Sequence, residues 1–217
     1  MGLSLELAQV SKTYNGQEVL QECSWVFEKG LTYVVMGPNG TGKSTLLRIC
    51  ALLEAPDRGR VNYLANGQPL APDLALKRRI TLVLPGVGVF NTSVFHNVAY
   101  GLKIRGLNSR EIEARVEAIL EVVGLAEKRR QRALDLSTGQ SKRLGLARAM
   151  VIDPEVILLD EPTASIDQEN TEIIENIILK MKAGGKTTII MVTHDPAQAE
   201  RLGDRLLLMQ GGKLLPG

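Results

Sequence analysis

The stretch that decides the fold is GPNGTGKST, at residues 37–45. The apolar run LTYVVM at residues 31–36 precedes it, and the run LLRI at residues 46–49 follows it. This order predicts a buried strand, a glycine-rich turn and then a helix. Glycines allow backbone angles that other residues rarely adopt, so the loop can wrap its N–H groups around a polyphosphate at the start of the helix. The stretch therefore predicts a site for a nucleoside triphosphate.

The residue types in this phosphate loop (residues 37–45) match the pattern G-x-x-x-x-G-K-[S/T]. We expect Lys43 to reach the β- and γ-phosphates of ATP, and the Ser44 hydroxyl to ligate Mg²⁺. The alternative is a glycine-rich turn that binds nothing, but the loop, the lysine, the hydroxyl and both flanks agree on phosphate binding. The predicted ATP-binding residues of the loop are Gly37, Pro38, Asn39, Gly40, Thr41, Gly42, Lys43, Ser44 and Thr45.

Composition narrows the class of protein. The 217 residues are 44% hydrophobic and carry a net charge of +2, which is typical of a globular α/β protein. So small a charge favours no nucleic-acid partner. The N-terminus carries Glu6 where a signal peptide needs an apolar core, and no stretch approaches the ~18 apolar residues of a membrane span. Cys23 and Cys50 fit no metal-ligand spacing, so we expect two buried, reduced thiols.

Hydrophobic patterns outside the loop predict strands alternating with helices. Short strands at residues 3–7, 18–20 and 24–27, with a hairpin at residues 59–70, predict an antiparallel sheet near the N-terminus. Buried strands at residues 79–84, 155–159 and 187–192 predict a mostly parallel sheet covered on both faces. Between them, Asn108 and Glu111 resemble the capping box of a helix that Gly124 ends. The fold class is therefore α/β.

Polar residues follow two of these buried strands. Asp160 and Glu161 end the strand at residues 155–159, and His194 follows the strand at residues 187–192. Loops at the carboxyl ends of parallel strands form a ligand crevice. Asp160 fits a carboxylate that holds Mg²⁺, and Glu161 is placed to orient or deprotonate the attacking water, although an exposed acidic turn is the alternative. His194 could bind the γ-phosphate or be structural, whereas His96 is expected at the surface or in packing.

The segment LSTGQ at residues 136–140, which we call the signature segment, decides among nucleotide hydrolases. With it, the chain strongly resembles the ATP-binding subunits of ABC transporters, whose signature is usually LSGGQ. The resemblance covers nearly the whole chain and implies that Ser137, Thr138, Gly139 and Gln140 face the nucleotide of a second copy. It further implies that Tyr14 stacks on adenine and that Asp167, in the loop at residues 164–167, crosses the dimer interface.

The resemblance also implies an architecture and a mechanism. The fold would be a RecA-like P-loop NTPase core with an N-terminal antiparallel β subdomain and an α-helical subdomain. One domain would span residues 1–217, with the β subdomain and phosphate loop at 1–84, the helical subdomain at 86–150 and the rest of the core at 151–217. Two copies would form a head-to-tail dimer around ATP and Mg²⁺. Hydrolysis would use Lys43, Glu161 and His194, with Ser44 and Asp160 as metal ligands.

The implied partners are integral membrane permease subunits and a periplasmic or extracellular substrate-binding protein. The chain would then be cytoplasmic and peripheral on the inner face of the cell membrane. Residues 97–106 resemble importer subunits for oxyanions such as tungstate, molybdate, sulfate or phosphate. Three alternatives stay open: an exporter or lipoprotein-release ATPase, a non-transport ABC ATPase acting on DNA or ribosomes, and a regulatory module that binds ATP without hydrolysing it.

Two residues depart from the family pattern. Thr138 replaces the first glycine of the signature, which would be costly if that position needed a positive φ. Pro85 stands where the family places a glutamine that contacts Mg²⁺ and the attacking water. Proline has neither a polar side chain nor an N–H. We therefore expect weakened Mg²⁺ coordination and altered coupling between the core and the helical region.

Overall fold

The computed structural model describes residues 2–217, so Met1, the first residue of the predicted single domain, lies outside the described residues. The strands are β1 (Leu3–Tyr14), β2 (Gln17–Phe27), β3 (Thr32–Met36), β4 (Arg58–Ala65), β5 (Gln68–Pro69), β6 (Ile80–Val83), β7 (Val156–Asp160), β8 (Thr188–Val192), β9 (Arg205–Gln210) and β10 (Lys213–Pro216). The α-helices are α1 (Lys43–Cys50), α2 (Leu74–Lys77), α3 (Val94–Ile104), α4 (Ser109–Val122), α5 (Thr138–Met150), α6 (Gln168–Ala183) and α7 (Pro196–Leu202). Short 3₁₀ helices lie at Ala126–Lys128 and Ala133–Asp135.

The first sheet has the strand order β2-β1-β4-β5, and its pairs are antiparallel, as predicted. Its strands are longer than predicted, because the patterns at residues 18–20 and 24–27 belong to one strand. Gln9 and Glu22 have positive φ angles of 53° and 48°, and β1 shifts register between Leu7 and Val10. Such bulges break the alternation of apolar and polar residues, which hides the continuity of a strand in the sequence. The predicted turn at Asn66 and Gly67 is confirmed.

The second sheet has the strand order β10-β9-β3-β8-β7-β6. β3 runs parallel to β8 and β9, and β7 runs parallel to β8, which confirms the mostly parallel sheet. β7 and β8 are buried along their whole length, as expected for central strands covered on both faces. β10 was not predicted; it pairs antiparallel to β9 after Gly211 and Gly212, both of which have positive φ.

Contacts divide the described chain into two compact units. The first unit contains the described residues up to Leu82, together with Glu155–Glu161 and Leu179–Gly217, and it holds both sheets except Val83, the last residue of β6. The second contains Val83–Pro154 and Pro162–Ile178, and it holds α3, α4, α5 and most of α6. The subdomain boundaries at residues 1–84, 86–150 and 151–217 stay a prediction.

The core of the first unit is built from both sheets and α1. Phe27 and Tyr33 meet edge to face with ring centroids 4.9 Å apart. Cys23 and Cys50 are free and buried in this core, which confirms the buried thiols. Burial raises the pKa of the Cys23 thiol. These thiols therefore act as small apolar side chains in the core.

The second unit is a helical assembly. α4 begins with the predicted capping box, in which Asn108 and Glu111 bond each other's backbone N–H groups, and Gly124 follows the helix with a φ of 65°. The buried Asn97 side chain accepts from Phe90 N at 2.8 Å and donates to Ser93 O at 3.0 Å, which fixes the segment before α3.

The basic run at residues 127–132 is exposed or half-buried throughout. It lies in a turn after α4, where Arg129 forms ion pairs with Glu113 and Glu117 and lies over the ring of Phe95. His96 is exposed, as expected. Across residues 2–217, no helix combines the length and the apolar character that crossing a bilayer requires.

Candidate functional site

The phosphate loop connects β3 to α1, as the sequence predicts. At two of its glycines, any larger residue would be strained and would clash with neighbouring backbone. Gly42 precedes α1 with a φ of 100°, and a Cβ there would lie 2.8 Å from Val19 O. Gly37 has a φ of 149°, and a Cβ there would lie 2.3 Å from Met209 O. Because Gly42 caps α1 without a side chain, the first N–H groups of the helix are left to bind an anion.

Lys43 is folded onto its own loop. Its Nζ donates hydrogen bonds to Gly37 O at 2.7 Å and Pro38 O at 2.8 Å, and the residue is only 6% exposed. The Thr41 hydroxyl donates to Pro38 O at 2.9 Å. The loop is therefore closed by bonds from within itself, which places a positive charge at its centre. A buried ammonium in this position attracts a polyphosphate.

A cavity of about 450 Å³ lies in front of the loop. Most of its lining belongs to the predicted site, with Tyr14 and Glu161 joining residues of the loop. Val19 and Arg48 also line it and were not predicted. The lining residues are Tyr14, Val19, Asn39, Gly40, Gly42, Lys43, Ser44, Thr45, Arg48 and Glu161. Its size fits the range of small-molecule sites.

Asp160 lies at the end of β7, and its side chain accepts a hydrogen bond from Ser44. It is 3% exposed, and this burial raises the pKa of the carboxyl group, while the Ser44 bond acts in the opposite direction. A hydroxyl beside a carboxylate, next to a phosphate site, is a donor set that suits Mg²⁺, because this ion takes few protein ligands and completes its shell with phosphate and water. Among residues 2–217, no three acidic, His or Cys side chains are arranged so that they could hold a metal ion by themselves.

Glu161 and His194 lie together, on neighbouring strand ends of the second sheet. Glu161 has a φ of 47°, and its N–H donates to Val192 O at 3.1 Å. Its Oε1 lies 3.5 Å from His194 Nδ1. Residues other than glycine rarely adopt a positive φ, and those that do often lie at functional sites. The structure therefore gathers the loop, Asp160, Glu161 and His194 at the carboxyl ends of β3, β7 and β8.

The signature segment lies in the second unit, at the start of α5. Ser137 is the N-cap: its Oγ accepts from Gln140 N at 3.3 Å, and Gln140 Oε1 accepts from Ser137 N at 3.1 Å. Ser137 and Thr138 are exposed. Thr138 is the first residue of the helix and is not among the positive-φ residues of the described chain, so its β-branched side chain causes no backbone strain there.

Gly139 and Asp167 are connected through Asn170, which the sequence did not indicate. A Cβ on Gly139 would lie 2.2 Å from Asn170 Cγ, so the carboxamide of Asn170 occupies that space. Asn170 Nδ2 donates to both carboxylate oxygens of Asp167 at 2.9 Å. Bonds from the backbone and side chain of Asn170 hold the pKa of Asp167 below its usual range. The second unit therefore brings the signature segment and Asp167 together.

Besides Val19, sequence reasoning missed three residues of these sites. Arg48 lies one helical turn after Ser44, so helical spacing could have indicated it. Glu54 accepts a hydrogen bond from the Tyr14 hydroxyl, and Asn170 contacts Gly139 across distant sequence positions, so no local pattern marks either. Pro85 is exposed and follows β6, and its side chain offers no polar group.

The fold and the cavity define a phosphate-loop nucleotide-binding ATPase. The sequence matches the ABC transporter family over residues 20–164. The chain belongs to this family, as one of its ATP-binding, ATP-hydrolysing subunits.

Comparisons with individual proteins agree with this family assignment. The chain is 38% identical to the tungstate uptake system ATP-binding protein TupC of Peptoclostridium acidaminophilum, over 98% of this chain and 97% of that protein. It is 36% identical to the phosphate import ATP-binding protein PstB 2 of Natronomonas pharaonis, over 97% of this chain and 78% of that protein. A solved ATP-binding cassette, dimeric in a post-hydrolysis state with ADP and Pi, matches with a TM-score of 0.86 and 28% identity, over 97% of this chain and 96% of that one.

Proposed function

We propose that this chain is the motor subunit of an importer, and that its cavity binds ATP with Mg²⁺. One observation carries the proposal: Lys43, Ser44 and Glu161 line a single cavity, with Asp160 bonded to Ser44. Phosphoryl transfer to water requires a positively charged loop that binds phosphates, a pair of residues that holds the metal ion, and a carboxylate that orients the water. Because transfer to water needs little covalent help from the protein, correct placement of these groups accounts for catalysis.

Each residue at the site would have one task. Lys43 and the N–H groups of the loop would hold the β- and γ-phosphates, and Tyr14 would stack on the adenine ring. Ser44 and Asp160 would hold Mg²⁺, which supplies charge neutralisation at the phosphates when bound. Glu161 would orient and deprotonate the attacking water, and His194, 3.5 Å from Glu161, would bind the γ-phosphate.

The second unit would complete the site of another copy. Ser137 and Thr138 are exposed at the start of α5, where backbone N–H groups favour an anion. We propose that Ser137, Thr138, Gly139 and Gln140 cover the nucleotide held by a second copy, and that Asp167 contacts that copy. The dimeric cassette with ADP and Pi supports a dimer of this kind. ATP would favour the closed dimer by binding it more tightly than the open form.

The cargo would be an oxyanion. The tungstate and phosphate systems named above use relatives that are 38% and 36% identical to this chain. Tungstate and phosphate share tetrahedral geometry and negative charge. We propose that a membrane permease and an extracellular binding protein select the oxyanion, while this chain supplies the motion from the inner face of the membrane.

The test of the ATPase site is the Glu161→Gln variant. The amide keeps the shape of the side chain but cannot accept a proton, so the rate of ATP hydrolysis should fall by about a hundredfold or more. ATP binding should persist, and the variant should become dimeric in saturating ATP, as measured by sedimentation. Glu18→Gln, an exposed carboxylate on β2, is the matched control and should hydrolyse ATP at the wild-type rate. A Glu161→Gln variant that hydrolyses ATP normally would contradict the assignment.

The cargo proposal needs the whole transporter. In vesicles that contain this chain, its permease and its binding protein, external tungstate, molybdate, sulfate or phosphate should stimulate ATP hydrolysis. An uncharged sugar is the control solute. If none of the oxyanions stimulates hydrolysis in vesicles whose ATPase is active, the importer carries another class of solute.

A further inference from the structure

A cluster of charged side chains lies beside the wall that Tyr14 contributes to the phosphate-loop cavity. Tyr14 is the last residue of β1 and is 37% exposed. Its hydroxyl donates a hydrogen bond to Oε1 of Glu54. An aromatic side chain at the end of a strand would otherwise be free to change rotamer. The bond to Glu54 therefore holds the far end of the ring in one place.

Glu54 also contacts a second residue of the cavity wall. Its Oε2 lies 3.5 Å from Arg48 Nε. Arg48 is part of α1, lines the cavity and donates to Thr45 Oγ1 at 3.3 Å. Glu54 itself follows the end of α1, where Leu53 N still donates to Arg48 O at 3.1 Å. One carboxylate therefore joins the tyrosine at the end of β1 to the helix that begins at the phosphate loop.

Lys12 completes the connection. Its Nζ lies 3.4 Å from Glu54 Oε1 and donates to Ala55 O and to Asp57 Oδ1, each at 2.9 Å. The Thr13 N–H donates to Asp57 Oδ2 at 2.8 Å. The hydrogen bond from Tyr14 lowers the pKa of Glu54 below its usual range, and Lys12 lowers it further. The carboxylate is therefore ionised at neutral pH and accepts the tyrosine bond.

We propose that Glu54 is a positioning residue for the nucleobase, which fixes the ring of Tyr14 for stacking and joins the base contact to α1. The proposal rests on the proposed function, in which Tyr14 stacks on adenine. Stacking depends on the orientation of the ring face. A ring that is already fixed loses less conformational entropy when the base binds. Glu54 would thus strengthen binding of the base without touching the nucleotide.

The experiment compares ADP with pyrophosphate, which lacks the base and the sugar, by calorimetric titration of the purified chain. Glu54→Ala should weaken ADP binding by about threefold to tenfold, because the ring must then be ordered on binding. Pyrophosphate binding should stay within about twofold of wild type, since the phosphate loop is unchanged. Tyr14→Phe, which keeps the ring and removes the hydroxyl, should give the same pattern as Glu54→Ala.

Two further variants separate positioning from a structural effect. Glu54→Gln keeps an oxygen that accepts from the Tyr14 hydroxyl, so its ADP affinity should lie closer to wild type than that of Glu54→Ala. The double variant Tyr14→Phe/Glu54→Ala should bind ADP no more weakly than the weaker single variant, because both changes remove the same bond. Glu18→Gln serves as the matched carboxylate control and should bind both probes as wild type does.

Four results would overturn the proposal. In the first, Glu54→Ala leaves the ADP affinity unchanged. In the second, Glu54→Ala weakens the binding of ADP and of pyrophosphate by the same factor. In the third, the effects of Tyr14→Phe and Glu54→Ala on ADP affinity multiply in the double variant. The fourth result concerns Tyr14→Ala, which removes the ring. If that variant binds ADP normally, adenine stacking in the proposed function fails, and the role of Glu54 fails with it. If Tyr14→Ala weakens ADP binding and Glu54→Ala does not, only the role of Glu54 is wrong.

Discussion

At the scale of single residues, Glu161 lines the phosphate-loop cavity, and its neighbour Asp160 bonds to Ser44 in the wall of the same cavity. Along a regular strand, successive side chains point to opposite faces. The φ of 47° at Glu161 ends that alternation directly after β7. Asp160 then bonds to Ser44, and Glu161 lines the cavity that Ser44 also lines. In the proposed function, the backbone turn gives two adjacent carboxylates separate tasks: Asp160 would hold Mg²⁺ together with Ser44, and Glu161 would orient the attacking water.

Pro85 is the residue at which this chain departs from the family in a way that chemistry can test. Pro85→Gln should raise the rate of ATP hydrolysis by about threefold if the family pattern holds, because the glutamine oxygen would then ligate Mg²⁺ and accept a hydrogen bond from the attacking water. The Mg²⁺ concentration that gives half the maximal rate should fall. Both are measured in steady-state assays over a Mg²⁺ series.

Pro85→Ala is the matched control for that change. It removes the proline ring without adding an amide, so the rate should stay at the wild-type value. An unchanged rate and unchanged Mg²⁺ dependence in Pro85→Gln would mean that the chain coordinates Mg²⁺ without this position.

Gly139 is constrained by Asn170 rather than by its own backbone angles. Gly139→Ala should lower the free energy of unfolding by about 1–3 kcal/mol, because the new Cβ meets a carboxamide that Asp167 holds in place. Adding Asn170→Ala should recover part of the loss, so the double variant should be more stable than additivity predicts. Urea unfolding measures both.

The control for this pair is Gly86→Ala, where a Cβ meets nothing within 4 Å. Its stability should lie within about 0.5 kcal/mol of wild type. Strict additivity of Gly139→Ala and Asn170→Ala would show that the two side chains do not share one space.

At the scale of elements, the start of α5 combines two tasks in one residue. Ser137 caps the helix through its hydroxyl, and in the proposed dimer the same residue faces a phosphate. Ser137→Asp separates the tasks, because aspartate caps helices as well as serine does and suits the positive end of the helix dipole. Its stability should therefore equal wild type within about 0.5 kcal/mol. In the Glu161→Gln background, the added negative charge should abolish ATP-dependent dimerisation, measured by sedimentation.

Ser137→Ala provides the opposite comparison. It should cost about 1 kcal/mol of stability through the lost cap, while adding no charge that repels phosphate. If Ser137→Asp still dimerises with ATP as the background variant does, the helix start does not face a nucleotide.

Elements differ in how clearly the sequence predicts them. The strand, loop and helix around residues 37–45 were predicted because local patterns specify them. The continuity of β1 and β2 was not, since bulges at Gln9 and Glu22 interrupt the alternation. The partners Glu54 and Asn170 could not be predicted either, because each meets its residue only after folding brings distant segments together.

At the scale of the whole molecule, the two groups of site residues lie in different units of one chain. The phosphate loop belongs to the first unit, and the signature segment belongs to the second. In a head-to-tail dimer with two-fold symmetry, the loop of each copy would meet the signature of the other, which gives two equivalent composite sites. Whether one chain or two form each site is therefore a question that mixing two defective variants can answer.

In the proposed dimer, Lys43→Ala would remove the ammonium that binds phosphate, and Ser137→Asp would repel the nucleotide of the partner, so neither variant alone should hydrolyse ATP. In a mixed dimer, the loop of the Ser137→Asp chain meets the intact signature of the Lys43→Ala chain, and one complete site forms. An equal mixture should regain about a quarter of the wild-type rate, because half of the dimers are mixed and each has one working site. If each site were formed within one chain, mixing would restore nothing, and a mixture no more active than its components would exclude the shared site.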